Sequence, residues 1–268
     1  MKKEEAEDFL KKVKQNEKKF FDLHFPSKNI SISKEKLFLS KFQKIIWKKA
    51  PGKSFRSNKK IFIKQGYLGN CYFISALNSL SQKKNFLDSI IGPFDEEFGI
   101  YSFKFYKNEW IYVIVDEFIP YEDDLPIFCS TESDEDSWVY LMEKAYAKLH
   151  GSYHTLDGGT SVDSFIDLTG ANASQYDIQT LKLNSEQISN CLKLIKKENW
   201  MINCSSSQKE LNNGIPSDHA YSIVNYDINE NIVEIYDSLC ETDFKSKYPT
   251  INVGVIVIDI EGILFIQI

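Results

Sequence analysis

The chain has 268 residues, 43% hydrophobic and 14% aromatic, and this composition is sufficient for a large globular core. Its formal net charge of −6 argues against nucleic acid as a partner, because phosphate binding requires a concentrated excess of Lys and Arg. The sequence contains neither a run of about 18 apolar residues nor a signal peptide, so we expect a cytoplasmic protein without an integral membrane segment.

Residues 1–20 form a charged N-terminal arm with few apolar residues. This pattern is typical of an exposed amphipathic helix or a mobile arm, and it carries no recognisable chemistry. Its role stays open between a propeptide, a docking helix and a disordered segment.

A core helix is predicted to begin at Cys71. Four apolar residues share one helical face at offsets of three, four and seven: Phe73, Ala76, Leu77 and Leu80. Gly66 and Gly69 loosen the loop ahead of this helix. Unpaired N–H groups and the positive end of the helix dipole favour a thiolate at the first turn. Cys71 is therefore the candidate nucleophile.

The rest of the chain predicts one hairpin, two further helices and several strands. The hairpin corresponds to YSFKFYK and EWIYVIVDEFI, with Asn108 near the junction. The helices correspond to DEDSWVYLMEKAYAKLHGSY, which Gly151 ends, and to ISNCLKLIKKE. Strands follow around HAYSIVNYDI, NIVEIYDSL and NVGVIVIDIEGILFIQI. A helical first half and a β-rich second half predict an α+β fold of two lobes that share a cleft.

The five cysteines are odd in number and include no CxxC pair, so the sequence predicts neither a disulfide framework nor a zinc site. A thiol is therefore available for nucleophilic chemistry. Such chemistry requires an imidazole base, a polar group that orients it and donors for the oxyanion.

His219 is the candidate base. It lies 148 residues after Cys71, within the window of about 130 to 150 residues typical of papain-like enzymes, and it opens a strand. Asp237 follows at the end of the next strand and is the candidate orienting residue. Gln65, six residues before Cys71, is the candidate oxyanion donor together with the Cys71 N–H.

The other three histidines have positions that suit surface or capping roles. His24 precedes the nucleophile, whereas His150 and His154 flank the end of a helix. We therefore assign them no catalytic role.

Several segments resemble the calpain family of cysteine proteases. QGYLGNCYFISALNSL resembles the family's nucleophile motif, and EKAYAKLHGSYHTLDGGTSVDSFIDLTG resembles its helix and following loop. HAYSIV is similar to the histidine strand, FFDLHFPSKNIS to the entry segment and GVIVIDIEGILF to the end of the protease core. The resemblance covers about residue 20 to the C-terminus.

The resemblance implies a papain-like fold with lobe 1 at residues 21–170, carrying Gln65 and Cys71, and lobe 2 at residues 171–268, carrying His219 and Asp237. It further implies an intracellular thiol endopeptidase that acts on protein substrates by limited proteolysis. The alternative is a catalytically impaired relative that acts as a binding module. Other papain-like hydrolases, such as transglutaminases or deubiquitinases, are disfavoured by the EKAYAKLHGSY match.

The orienting segment departs from the calpain pattern. The family usually has Asn followed by Pro-Trp-Gly, whereas this chain has Asp237 followed by Ser238-Leu239-Cys240. Asp accepts from an imidazole N–H as Asn does, and its charge stabilises the imidazolium more strongly. Without the Trp, we expect Leu239 to shield this hydrogen bond less well.

The resemblance also implies calcium as a regulator, although no residue is assigned here as a metal ligand and the chemistry requires no cofactor. Glu143 and Asp243 match acidic ligand positions of the family. Phe62 replaces a further acidic position, and Asn252-Val253-Gly254-Val255 replaces the later acidic loop. Because hard cations need several oxygen ligands, we hypothesise that calcium regulation through the core is weakened or lost.

Overall fold

The structure of the protein is a computed structural model. The described residues are 1–57, 61–83, 85–131, 136–175, 185–197, 201–206, 218–227, 232–239, 243–244, 254–259 and 263–267. The first unit comprises residues 1–70 and 84–158, and the second comprises residues 71–83 and 159–268. The helix that begins at Cys71 thus groups with the second unit, while the lobe boundary at residue 170 remains a prediction.

The first unit combines short sheets with helices, numbered along the whole chain. Its helices are α1 (Lys3–Gln15), α2 (Asn29–Ile32), α3 (Lys36–Leu39), α5 (Phe86–Ile90), α6 (Trp138–His150) and a 3₁₀ turn (His154–Leu156). Its strands are β1 (Ile46–Lys49), β2 (Ile63–Lys64), β3 (Ile100–Lys107), β4 (Glu109–Asp116), β5 (Phe118–Glu122), β6 (Leu125–Pro126) and β7 (Ser130–Thr131). The predicted hairpin is confirmed as the antiparallel β3–β4 pair, with Asn108 between the strands at a φ of 62°.

The charged N-terminal arm is a helix that packs on this hairpin. Ala6 of α1 is buried against Ile100 and Ile114. Lys14, in the last turn of α1, forms an ion pair of 2.7 Å with Asp95. Of the two forms expected for the arm, the structure therefore contains the amphipathic helix.

Helix α6 is the central helix of the first unit, and it ends at Gly151 with a φ of 104°, as predicted. All residues from Trp138 to Ala147 are buried, including a lysine. The ammonium group of Lys144 binds the carboxylate of Asp116 and the carbonyl oxygen of Phe118. A helix that is apolar on nearly all sides is typical of a buried core element, and the buried lysine is tolerated because it is paired.

The second unit places helices beside one sheet. Its helices are α4 (Cys71–Ser81), α7 (Ser161–Thr169) and α8 (Ser185–Lys197). Its strands are β8 (Asn172–Ala173), β9 (Met201–Ser205), β10 (Ala220–Asp227), β11 (Ile232–Tyr236), β12 (Asp243–Phe244), β13 (Gly254–Asp259) and β14 (Ile263–Gln267). Within the described residues these strands form a sheet in the order β12-β11-β10-β9-β14-β13-β8, and α4 packs on β9 and β10. The predicted α+β class is confirmed.

Throughout the described ranges, every helix is too short or too polar to cross a bilayer.

Candidate active site

Cys71 is the first residue of α4, as the sequence predicts. The following residues, from Tyr72 to Leu80, are all buried, so this helix is fixed on every side. The side chain of Cys71 is only partly buried. Its position combines a rigid backbone with an accessible thiol, and helix geometry leaves its N–H without an acceptor four residues earlier.

His219 and Asp237 lie at the same end of two paired strands. His219 immediately precedes β10 and Asp237 immediately follows β11, and the antiparallel register sets Ser222 opposite Tyr236. Nε2 of His219 lies 2.9 Å from Oδ1 of Asp237. The two residues predicted as base and orienting group are thus brought together by the strand register.

The hydrogen bond between His219 and Asp237 is shielded from water. Asp237 is 0% and His219 6% exposed, and the ring of Tyr221 packs edge-on against the imidazole at 4.8 Å between centroids. Leu239 is 53% exposed, but its backbone N–H donates to Oδ1 of Asp237 at 2.9 Å. The poorer shielding expected from Leu239 is therefore not observed, because Tyr221 and the protein interior cover the pair.

The backbone of His219 is also held on both sides. Its N–H donates to Oγ of Ser206 at 3.0 Å, and its carbonyl oxygen accepts from the N–H of Ser206 at 2.8 Å. The segment Gly214-Ile215-Pro216, which the sequence predicts as a turn ahead of His219, lies outside the described residues.

The thiol of Cys71 lies close enough to the imidazole of His219 to raise the pKa of the histidine. Because Nε2 is directed at Asp237, Nδ1 is the nitrogen left to face the sulfur. Burial opposes the charged imidazolium, but the hydrogen bonds and charges of Asp237 and Cys71 outweigh it and raise the pKa of His219 to about 9. The arrangement therefore favours a protonated histidine beside the sulfur at neutral pH.

Four polar side chains join α4 to the sheet. The amide nitrogen of Asn203, on β9, donates to Oγ of Ser75 at 2.9 Å, and its amide oxygen accepts from the hydroxyl of Ser79. The hydroxyl of Ser222, on β10, donates to the carbonyl oxygen of Ser75 at 2.8 Å. These four residues were not among those predicted from the sequence, although a polar residue inside the apolar strand MINCS is a signal that could have indicated them.

Gln65 lies in the first unit, within the loop that leads to the nucleophile. Its side-chain amide donates to the carbonyl oxygen of Leu68 at 2.6 Å. A Cβ atom on Gly66 would come within 2.0 Å of the carbonyl oxygen of Phe128, so only glycine allows this close approach. The loop is thus well fixed, and the role of Gln65 as oxyanion donor remains a prediction.

Glu143 of α6 connects this loop to the segment behind it. Oε1 accepts from the side-chain amide of Asn70 at 2.8 Å, and Oε2 accepts from the N–H of Cys129 at 3.0 Å. Glu143 is 2% exposed, and burial raises the pKa of its carboxyl group. Asn70 directly precedes Cys71, so the Glu143 carboxylate holds the residue immediately before the nucleophile helix.

These contacts do not suit the calcium role that the resemblance assigns to Glu143. Both oxygens already accept hydrogen bonds from protein donors, and the group is closed to solvent. Among the residues that the structure describes, no three His, Cys, Asp or Glu side chains are grouped as metal ligands. The residues around Glu143 therefore do not fit a calcium ion, while the side chain of Asp243 lies outside the description.

Two of the remaining histidines pack elsewhere in the first unit. The ring of His154 stacks on Phe38 at 3.9 Å between centroids and lies 2.9 Å from Oγ of Ser33. The ring of His150 packs edge-on against Tyr146. Neither contact is catalytic in character.

The chain is similar to known cysteine proteases. The family model described as calpain family cysteine protease matches residues 20–247. A calpain-type cysteine protease, DEK1 of Zea mays, is 36% identical over 170 residues, which is 60% of this chain and 8% of that protein. Calpain-9 is 30% identical over 229 residues in Mus musculus and 31% over 230 residues in Homo sapiens, in both cases 78% of this chain and 32% of the relative. The chain thus spans less than a third of the length of the calpain-9 proteins, and far less of DEK1.

Proposed function

Because the chain belongs to the calpain family of cysteine proteases, a family of hydrolases, we propose that it is an intracellular thiol endopeptidase with Cys71 as nucleophile. The observation that carries this proposal is the grouping of three residues: His219 is hydrogen-bonded to Asp237, and Cys71 is close enough to His219 to raise its pKa. A thiol, an imidazole and a buried carboxylate in that order are the groups that acyl transfer requires.

The other described cysteines do not suit a nucleophilic role. Burial raises the pKa of the thiols of Cys129 and Cys204. The thiol of Cys191 is less deeply buried, and burial raises its pKa as well. A buried thiol with a raised pKa holds its proton and reacts slowly. Cys71, which is partly exposed and close to His219, is therefore the favoured nucleophile.

In the proposed reaction the Cys71 thiolate attacks the carbonyl carbon of a peptide bond. The tetrahedral oxyanion accepts hydrogen bonds from the Cys71 N–H and the Gln65 amide. The His219 imidazolium gives its proton to the leaving amine as the C–N bond breaks, which leaves a thioester on Cys71. Water, deprotonated by the now neutral His219, hydrolyses the thioester and restores the thiol and imidazole pair.

We further propose that the fold is papain-like, with lobe 1 at residues 21–170 and lobe 2 at residues 171–268. Its substrates would be proteins, cut by limited proteolysis in the cytoplasm. The family match supports this assignment.

A second candidate function is a binding module without catalysis. The observation that favours it is the departure of Asp237-Ser238-Leu239 from the family's Asn-Pro-Trp pattern. The burial of the His219–Asp237 hydrogen bond weighs against it, because a shielded bond is what the Trp would otherwise provide.

The test is labelling of the chain with an epoxide-type thiol inhibitor, with and without calcium, followed by mass spectrometry of the modified peptides. We expect selective modification of Cys71 that is lost in the His219→Ala variant. Cys191, a second partly exposed thiol, is the internal control and should stay unmodified. If Cys71 is labelled no faster than Cys191 under either condition, the protease assignment is wrong and the binding module is favoured.

A further inference from the structure

The polar contact between α4 and the sheet, formed by Ser75, Ser79, Asn203 and Ser222, is here termed the Asn203 clamp. All four side chains are almost completely buried, with exposures of 1%, 3%, 0% and 1%. A buried polar group that lost its hydrogen bonds would destabilise the protein, so the retention of four together calls for a reason.

The hydrogen bonds of the clamp form a chain in which each side chain donates to the next group. Ser79 donates to the amide oxygen of Asn203, whose amide nitrogen donates to Ser75. The Ser75 hydroxyl in turn donates to the carbonyl oxygen of Tyr72 at 3.3 Å. Asn203 thus contacts two successive turns of α4, which fixes both the rotation of the helix and its position along its axis.

The clamp lies close in sequence to both reactive residues, on the helix of one and the strand of the other. Ser75 is one helical turn beyond Cys71, and Ser222 is three residues beyond His219 on β10. Asn203 and Ser222 are paired in the β9–β10 register, so their side chains face α4 side by side. The same contact that holds the nucleophile's helix therefore also holds the histidine's strand.

Apolar packing alone would fix the rotation of α4 less precisely. The neighbouring core residues Phe73 and Leu77 supply non-directional contacts, which tolerate small rotations of a helix. Rotation of α4 would displace the sulfur of Cys71 from Nδ1 of His219. A shift of about 1 Å at a reacting atom costs roughly 100-fold in rate.

We propose that Asn203 is a positioning residue, which sets the rotation of α4 so that Cys71 meets His219. This inference rests on the proposed protease function and adds to it a residue that does not touch substrate.

The test uses Asn203→Leu, which has a similar volume and no hydrogen-bonding group. Two matched controls are available. Ser81→Ala removes a hydroxyl of α4 whose hydrogen bonds among the described residues are to Asn78, in the same helix, and to the adjacent Gln82. Ile202→Ala weakens the core at the neighbouring position of β9, where the side chain points to the other face, and leaves the clamp intact.

Two quantities are measured below the unfolding temperature of every variant: the pH profile of Cys71 alkylation, and kcat and KM on a peptide substrate. In N203L we expect a decrease in kcat of about 10-fold to 100-fold, a change in KM below about threefold, and loss of the His219-dependent part of the alkylation profile. S81A and I202A should retain the profile of the unmodified chain.

The outcomes separate this inference from the proposed function. If the unmodified chain shows a His219-dependent profile and N203L shares it, the positioning role is wrong and the protease assignment stands. A loss of profile in I202A equal to that in N203L would also overturn the inference, because general destabilisation would then explain the effect of N203L. If the unmodified chain shows no dependence on His219, the protease assignment fails, and the clamp then has no reactive pair to position.

Discussion

The carboxylate of Asp237 accepts a hydrogen bond of 2.9 Å from His219 and a second one of 2.9 Å from the N–H of Leu239, both on the same oxygen. The carboxylate is completely buried. A charge in this position both orients the imidazole and stabilises its protonated form.

Replacement of Asp237 separates these two effects. Asp237→Ala should lower kcat by about 100-fold or more, because the imidazole loses its orientation. Asp237→Asn retains an acceptor oxygen and should cause a smaller loss, accompanied by a lower pKa of His219. Steady-state kinetics and NMR titration of the histidine would measure both. Equal losses in the two variants would show that the acceptor geometry is unimportant.

The raised pKa of His219 predicts a specific pH dependence. The imidazolium is favoured in the folded state, with a pKa of about 9 against an ordinary 6.5. Its contribution to the free energy of unfolding is therefore fully present below about pH 6.5 and is lost as the pH rises through about 9. Proton donation to the leaving amine should fail over the same upper range, so kcat/KM should fall above about pH 9.

A comparison with His219→Gln checks the stability part of this prediction. The difference in unfolding free energy between the unmodified chain and H219Q should shrink between pH 6 and pH 9. A difference that grows with pH would contradict the assignment of the charged form.

The buried ion pair between Lys144 and Asp116 is predicted to support the first unit. Burial lowers the pKa of Lys144, and the Asp116 carboxylate opposes this effect. Lys144→Met would leave the Asp116 carboxylate buried without its counter-charge, at a cost of about 3 to 5 kcal/mol in unfolding free energy. The exposed pair of Lys48 and Asp124 provides the control, because Lys48→Met should cost far less. Denaturant titration would measure both; similar losses would refute the prediction.

The hydrogen bond between Glu143 and Asn70 can be tested by exchanging the acid and the amide between the two positions. In Glu143→Gln one of the two donors, Asn70 or the Cys129 N–H, must face another donor. In Asn70→Asp two carboxylates face each other. Each single variant should increase hydrogen exchange in the peptide 65–71 and reduce kcat.

The N70D/E143Q double variant should recover much of the loss. The new amide at position 143 would donate to the new carboxylate at position 70, and its oxygen would still accept from Cys129. Hydrogen exchange measured by mass spectrometry gives the result independently of activity. If the double variant is as impaired as the sum of the single variants, the two positions are not coupled.

Calcium is predicted to have little effect through the core. The Glu143 carboxylate is committed to two protein donors, and Phe62 stands at a position where the family has an acid. Isothermal calorimetry should therefore show no stoichiometric binding in the micromolar range. Such binding, or labelling of Cys71 only in the presence of calcium, would contradict this hypothesis.

The sequence was sufficient to predict the elements that carry chemistry, because their signals are local. The start of α4 at Cys71 follows from apolar spacing and two glycines, and the hairpin turn at Asn108 follows from two β-rich segments that flank a polar residue. The pairing of His219 with Asp237 was proposed from their places at strand ends, and the strand register places them together.

The contacts that hold these elements could not be predicted in the same way. Asn203 bonds to residues 128 and 124 positions away, and Glu143 bonds to Asn70 at 73 positions away. No periodicity connects such residues, since only the folded chain brings them together. For Glu143 the family resemblance suggested a metal ligand, whereas its burial beneath two N–H donors indicates a structural contact.

The separation between α4 and its strands also affects when the site can form. Ser75 and its partner Ser222 are 147 residues apart, so a ribosome produces the nucleophile long before the strand that carries the histidine. A growing chain would therefore contain the cysteine without its base, and the apolar helix around it would have no sheet to cover it. In the proposed enzyme, hydrolytic competence would therefore arise only after the strand that carries the histidine has been made, which would protect the nascent polypeptide from premature cleavage.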